Sequence, residues 1–202
     1  MAAATVTVPQ SDMPLSANLR GKVGMWCLII AESAIFSIFV VAYLYYAGKS
    51  ISGPTPAQVL NVPIFATVCL LSSSITIMLA ERALHRGKIK QFGLFWFLTL
   101  ALGVTFLVET GLEWDRLIYH LPNGASLTIS TNLFGTTYYS LVGLHAFHVT
   151  VGAIGLTVIL LLTLFGAVKQ EHAERISVFG MYWHFVDAIW IVVFSVVYWI
   201  TR

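Results

Sequence analysis

Long uninterrupted apolar stretches set the pattern of this chain, broken by short polar connections at fairly even intervals. A helix that crosses a bilayer core needs roughly 20 apolar residues. Five runs qualify: about Val23–Tyr46, Val62–Ala80, Phe92–Val108, Tyr138–Val168 and Met181–Ile200. The fourth is long enough to tilt or to project beyond the membrane. The period-two alternation of a barrel is absent, so the runs predict helices. The predicted fold is an all-α integral membrane protein, a bundle of five transmembrane helices forming one domain over residues 20–202. Residues 1–19 are polar and Ala/Thr/Pro-rich, without the charged start and cleavage site of a signal peptide. They are expected to be a flexible tail.

Composition agrees. Of 202 residues, 58% are hydrophobic and only 10% charged, where a soluble domain carries about 25% charged residues. The mean hydropathy is +0.84. A net charge of +2 with no dense basic cluster gives no ground for a nucleic-acid partner. Cys27 and Cys69 both lie in apolar runs, where a thiol acts as a small hydrophobe.

The basic residues then orient the bundle. With the N-terminus cytoplasmic, Arg20, Lys22, Arg82, Arg86, Lys88, Lys90, Lys169 and Arg175 fall inside, eight against three (Lys49, Arg116 and Arg202) outside. The positive-inside rule therefore puts the N-terminus in the cytoplasm and the C-terminus in the periplasm. Gly48–Gln58 reads as a Gly/Pro/Ser loop, and Glu81–Gln91 as a basic hairpin. Glu109–Asn132 is the one substantial external segment, with an Asn123–Gly124 turn. Within it "WDRLIYHL" is suited to a short interfacial helix.

Ionisable side chains inside these runs cost roughly 2.5–3.5 kcal/mol each on insertion scales, which makes them the candidate functional residues. Glu32 stands about 14 Å into the first span, counting 1.5 Å per residue from Val23. A carboxyl at that depth must be protonated or paired. It serves either proton handling or a structural hydrogen bond. In "GLHAFHV", His145 and His148 are three apart and share a helical face. The depth of His148 matches that of Glu32, which suggests a hydrogen bond between them. His184 and Asp187 repeat the spacing in "YWHFVDAIW". Counted from Met181 they fall near the cytoplasmic rim, where they can meet one another, water or a partner chain. Gly143, Gly152, Ala153 and Gly155 allow a neighbouring helix to approach, and the hydroxyls of "LLSSSITI" suit interhelical bonds.

A haem held by two histidines is argued against by the different depths assigned to His148 and His184. No metal site is expected, since neither cysteine stands near a histidine in the sequence. A free-standing transporter is the reading from another class. Five spans do not divide into equal halves, and none is broken by a central proline. The residues alone thus point to an accessory subunit of a larger membrane complex.

Four stretches carry a resemblance: "GMWCLIIAESAIFSIF", "LLSSSITI", "FGTTYYSLVGLHAFHVTVGAIGL" and "YWHFVDAIWIVVFSVVYW". In order and spacing, from about Gly24 to Trp199, they resemble subunit III of the haem–copper terminal oxidases, in its bacterial five-helix form. The resemblance implies an accessory, non-redox subunit in the bacterial inner membrane. It would stabilise the catalytic subunit and support proton uptake while that subunit reduces oxygen to water and pumps protons. The chain itself would bind no haem, copper or other cofactor and hold no catalytic centre. Haem and copper would sit in partner subunits, with subunit I in direct contact, subunit II in the same complex, and phospholipid bound to the helices. Glu32 matches the intramembrane carboxyl that reacts with carbodiimide in the family. His145, His148, His184 and Asp187 match its paired motifs, and Glu113 the acidic residue that closes the third shared helix.

Glu109 and Ala66 depart from the pattern. Glu109 stands where cytochrome c-oxidising members commonly have another residue, and it is similar to some quinol oxidases. Glu32 points the other way, since some quinol oxidases have aspartate there. Ala66 replaces an asparagine common before the serine run. Cytochrome c is the favoured donor. A quinol oxidase subunit III or an accessory protein of nitric oxide reduction are the alternatives.

Overall fold

The computed structural model describes residues 17–50, 53–121 and 125–200. They form α1 (Ala17–Tyr46), a short α2 (Pro56–Val59), α3 (Ile64–His85), α4 (Ile89–Tyr119), α5 (Leu133–Leu164) and α6 (Ala173–Phe194). A 3₁₀ turn, Gln170–His172, leads into α6, and a π-helical turn, Ser195–Ile200, continues it. Five helices are long and apolar enough to cross a membrane, and no strand occurs among the described residues. Hydrocarbon offers no partner for backbone N–H and C=O groups, so each spanning segment must satisfy its own, as a helix does.

The helices overrun the boundaries that hydropathy sets. The second starts at Ile64 and ends at His85, not Val62 and Ala80. The third runs from Ile89 to Tyr119, not Phe92 to Val108. "WDRLIYHL" is therefore no separate interfacial helix: through Tyr119 it is the last two turns of α4. The fourth helix covers Leu133–Leu164 instead of 138–168. It starts early because Asn132 accepts the Gly135 N–H at 2.8 Å, an N-cap bond. It stops because Gly166 turns the chain at φ +72°. The last begins with Gln170, well before Met181. The reason is common to all five. Hydropathy marks only the residues immersed in hydrocarbon, while the helical ladder continues through polar ends into the headgroup layer. At 1.5 Å per residue the 31 residues of α4 span about 46 Å, against roughly 30 Å of hydrocarbon. Of the expected tail, residues 1–16 lie outside the described residues and Ala17–Leu19 belong to α1. The Asn123–Gly124 turn also lies outside them.

The last span is the central one, packed against α1, α3 and α5. Half of its apolar window is buried, against 11% in α1, which touches α5 and α6 along one side only. Trp183, Trp190 and Tyr182 on α6 fill the middle with Trp96, Phe92 and Phe106 of α4 and Tyr138 of α5. Trp183 is clamped edge-on between two glycines. A Cβ at Gly103 on α4 or at Gly152 on α5 would come within 2.7 Å of its ring. The small residues of α5 thus admit aromatic side chains of α6 rather than a bare helix backbone.

Candidate functional site

Glu32, His148, Ser74 and His184 each fall at mid-length of their own helices, in two clusters. In the first, Glu32 Oε2 lies 3.1 Å from His148 Nε2. The other ring nitrogen, Nδ1, is 2.8 Å from the Leu144 carbonyl oxygen. A carbonyl only accepts, so Nδ1 carries a hydrogen. Two proton placements remain at Nε2. Either a neutral Glu32 carboxyl donates to bare Nε2, or imidazolium donates to carboxylate. Both leave the pair with zero net charge, which is what a low-dielectric setting tolerates. Phe36 covers the imidazole at 5.0 Å, and the Tyr182 hydroxyl donates to the His148 carbonyl at 3.0 Å. The side chain of Glu32 is 22% exposed, on the open side of α1.

The second cluster lies between α3 and α6. Ser74 Oγ is hydrogen-bonded to Asp187 Oδ2 and lies 3.1 Å from His184 Nδ1. His184 and Asp187 are joined through this serine, not directly. Nor do they lie at the cytoplasmic rim. Because the helix starts at Gln170, both sit near its middle. His148 and His184 therefore stand at similar depths, and depth does not separate them as candidate ligands of one haem. Asp187 is buried, and its second oxygen, Oδ1, has no hydrogen-bond partner.

One stretch of α6 binds both sides of the bundle. Tyr182 reaches α5. Trp183 donates to Ser73 on α3 at 2.8 Å, His184 and Asp187 meet Ser74, and Trp190 donates to Thr67 at 3.1 Å. His145 is fully buried with neither ring nitrogen bonded. Its ring lies 4.9 Å from that of Trp190 and 5.6 Å from that of Phe106, so the two histidines of "GLHAFHV" have different surroundings.

Glu109 and Glu113 stand apart, toward the other end of α4. They line a cavity of about 230 Å³ with Thr110, Tyr138, Trp190 and Tyr198. Arg116 clasps Glu113 through two bonds, at 2.6 and 3.0 Å, and donates to the Val59 carbonyl at 2.7 Å, tying α2 to α4. Glu113 does not close the helix, which runs on to Tyr119.

Glu81 is the residue that hydropathy missed. It falls one position past the predicted end of the second span and so reads as loop. In the structure it belongs to α3, half-buried, with its carboxyl packed where a Cβ on Gly180 would stand. Its spacing from Ser74, seven residues, is the clue the sequence held. Among the described residues, no three His, Cys, Asp or Glu side chains gather as a metal site requires.

The sequence model of the family described as cytochrome c oxidase subunit III matches residues 15–202. The chain belongs to that family. Relatives include the cytochrome c oxidase subunit 3 of Alkalihalophilus pseudofirmus, 33% identical over 92% of this chain and 90% of that one. The quinol oxidase subunit 3 of Bacillus subtilis is 30% identical, over 87% of this chain and 84% of its own. The cytochrome c oxidase subunit 3 of Hippopotamus amphibius is 32% identical over 88% of this chain and 69% of its own. As a subunit III with five membrane-spanning helices, the chain is a multi-pass membrane protein of the respiratory electron-transport chain.

Proposed function

We propose that this subunit III is a non-redox accessory chain of a proton-pumping bacterial terminal oxidase, held against the catalytic subunit I through the open side of α1. The carrying observation is Glu32. A carboxyl at mid-length of a spanning helix is still 22% exposed, on the helix that also exposes Ser37, Trp26, Ile30 and Ile38. Polar groups at this depth face protein or a water-filled cavity rather than acyl chains. A partner helix on that side would cover the Glu32–His148 pair and complete the least buried span. Subunit II would join the same complex, and phospholipid would fill the remaining apolar surface of the helices.

The chain itself would carry no haem or copper. Both nitrogens of His148 are engaged, by Leu144 and Glu32, so this histidine is closed to a metal. In an inner membrane the basic end of the bundle, with Arg82, Arg86, Lys88, Lys169 and Arg175, would face the cytoplasm with the start of α1. Proton uptake would then be supported from that side by the carboxyls and histidines of the bundle. Cytochrome c is the donor of this reading, with cytochrome c oxidase subunits at 33% and 30% identity and a quinol oxidase subunit at 30% among the relatives.

The test is a mild-detergent pull-down of the tagged chain followed by a reduced-minus-oxidised spectrum. Haem bands and a large multi-span partner are expected, with turnover on reduced cytochrome c exceeding that on quinol. A colourless chain without a partner refutes the assignment, and the opposite donor preference refutes the donor. Asp187→Ala is expected to loosen the complex, and full retention of the subunit would remove the structural role given to that residue.

A further inference from the structure

We propose that the seam between α3 and α6 is a reversible proton relay, connecting Glu81 at the basic end of the bundle with a proton-storing carboxyl, Asp187, at its centre. Three observations meet there. Ser74 is hydrogen-bonded to both Asp187 Oδ2 and His184 Nδ1, the latter at 3.1 Å. Asp187 is 2% exposed and keeps one oxygen without any partner. Glu81 lies two turns along α3 on the same face as Ser74, its carboxyl against Gly180, which is one turn before His184 on α6. Gly180 and His184 are four residues apart, about 6 Å of rise along α6, and a hydrogen-bonded water is the link assigned between the Glu81 carboxyl and His184 Nε2.

The chemistry balances without any further reactant. With the proton on Asp187, its O–H donates to Ser74 Oγ, and the serine O–H donates to the bare Nδ1 of a neutral His184. In the transfer, Asp187 gives its proton to Ser74 Oγ while Ser74 gives its own to Nδ1. An Asp187 carboxylate, an unchanged serine hydroxyl and an imidazolium result. The imidazolium then releases the proton on Nε2 toward a Glu81 carboxylate, leaving His184 neutral with its hydrogen on Nδ1. The return path runs through the same bonds and requires no ring flip. A hydroxyl is needed at position 74 because it both accepts and donates, which neither a methyl nor a thioether does.

The acidic groups of the surrounding helices nearest the seam have partners of their own, and His145 lies among aromatic rings without a hydrogen bond. Glu174 of α6 pairs with Lys22 of α1 at 2.7 Å, Glu32 of α1 pairs with His148 of α5, and His145 of α5 lies against Trp190. The relay itself stands on this chain's geometry. Only its use in oxygen reduction rests on the reading of the chain as a support of proton uptake.

The test is infrared spectroscopy of the intact complex during hydrogen–deuterium exchange, with Ser74→Ala, Ser74→Thr and Asp187→Asn. The Asp187 carboxyl band, identified by its loss in Asp187→Asn, is expected to exchange roughly a hundredfold more slowly in Ser74→Ala, the scale on which a positioned proton carrier acts. Ser74→Thr, which keeps the hydroxyl, is expected to restore it, and Glu81→Gln to slow it in the same way. Equal exchange in wild type and Ser74→Ala overturns the relay, as does slow exchange in Ser74→Thr. If Asp187→Asn fails to assemble, a shift of the carboxyl band between Ser74→Ala and Ser74→Thr identifies the same group, and no shift counts against the relay. Proton uptake by the oxidase is read separately. An altered band with unchanged uptake keeps the relay and removes its use in oxygen reduction, while altered uptake with an unchanged band overturns the relay and assigns the effect on uptake to another route.

Discussion

Replacing Glu32 by glutamine separates the two proton placements that the Glu32–His148 geometry permits. The bond is 3.1 Å long, and the side chains are 22% and 8% exposed. If the pair is neutral, an amide N–H of glutamine donates to Nε2 in place of the carboxyl O–H, and His148 keeps its hydrogen on Nδ1 toward Leu144. The change then exchanges one neutral hydrogen bond for another, and stability should move by less than about 1 kcal/mol. Glu32→Ala in the same background leaves Nε2 unpaired and should cost about 1–3 kcal/mol. If the pair is instead carboxylate and imidazolium, glutamine removes the counter-charge, and His148 must either stay a buried cation or give up its Nε2 proton. Breaking a buried ion pair in this way costs about 3–5 kcal/mol. The neutral pair is the expected state, since it avoids removing two charges from water. The assay is detergent- or heat-induced unfolding of the purified complex, with loss of subunit III as the readout. A Glu32→Gln cost as large as that of Glu32→Ala, or above about 3 kcal/mol, refutes the neutral assignment.

Three further outcomes follow from the packing. Gly152→Val drives a side chain into the Trp183 ring, which Gly103 prevents from retreating, and should cost about 1–3 kcal/mol in the same unfolding assay. Arg116→Lys removes the two-pronged grip on Glu113 and the bond to Val59, so proteolysis of the connection carrying α2 should accelerate while the spans stay protected. Lys22→Ala removes an ion pair whose side chains are 43% and 46% exposed. Retention of the subunit should be unchanged within about 1 kcal/mol and indifferent to salt.

The amino-acid order was enough to establish five apolar spans, and with them a helical bundle, because hydrocarbon leaves the backbone no alternative to its own ladder. It also marked Glu32, His148, His184 and Asp187, since an ionisable group in an apolar run stands out whatever surrounds it. Depth matching alone suggested the Glu32–His148 bond. Where each helix ended was a different matter. The polar turns beyond the hydrocarbon are held by local caps, by the Gly166 reversal and by contacts between distant segments, none of which hydropathy registers. That error moved His184 and Asp187 to the wrong depth and left Glu81 in a loop.

Partners across helices were decided by tertiary structure alone. Nothing in "LLSSSITI" says that Ser73 receives Trp183 while Ser74 receives His184 and Asp187. Nor does "GLHAFHV" say that one histidine is doubly bonded and the other unbonded among aromatic rings. Those assignments depend on how far α6 is rotated and shifted against α3 and α5. Trp183 fixes both, wedged between Gly103 and Gly152, and such a fit exists only once three helices are in place.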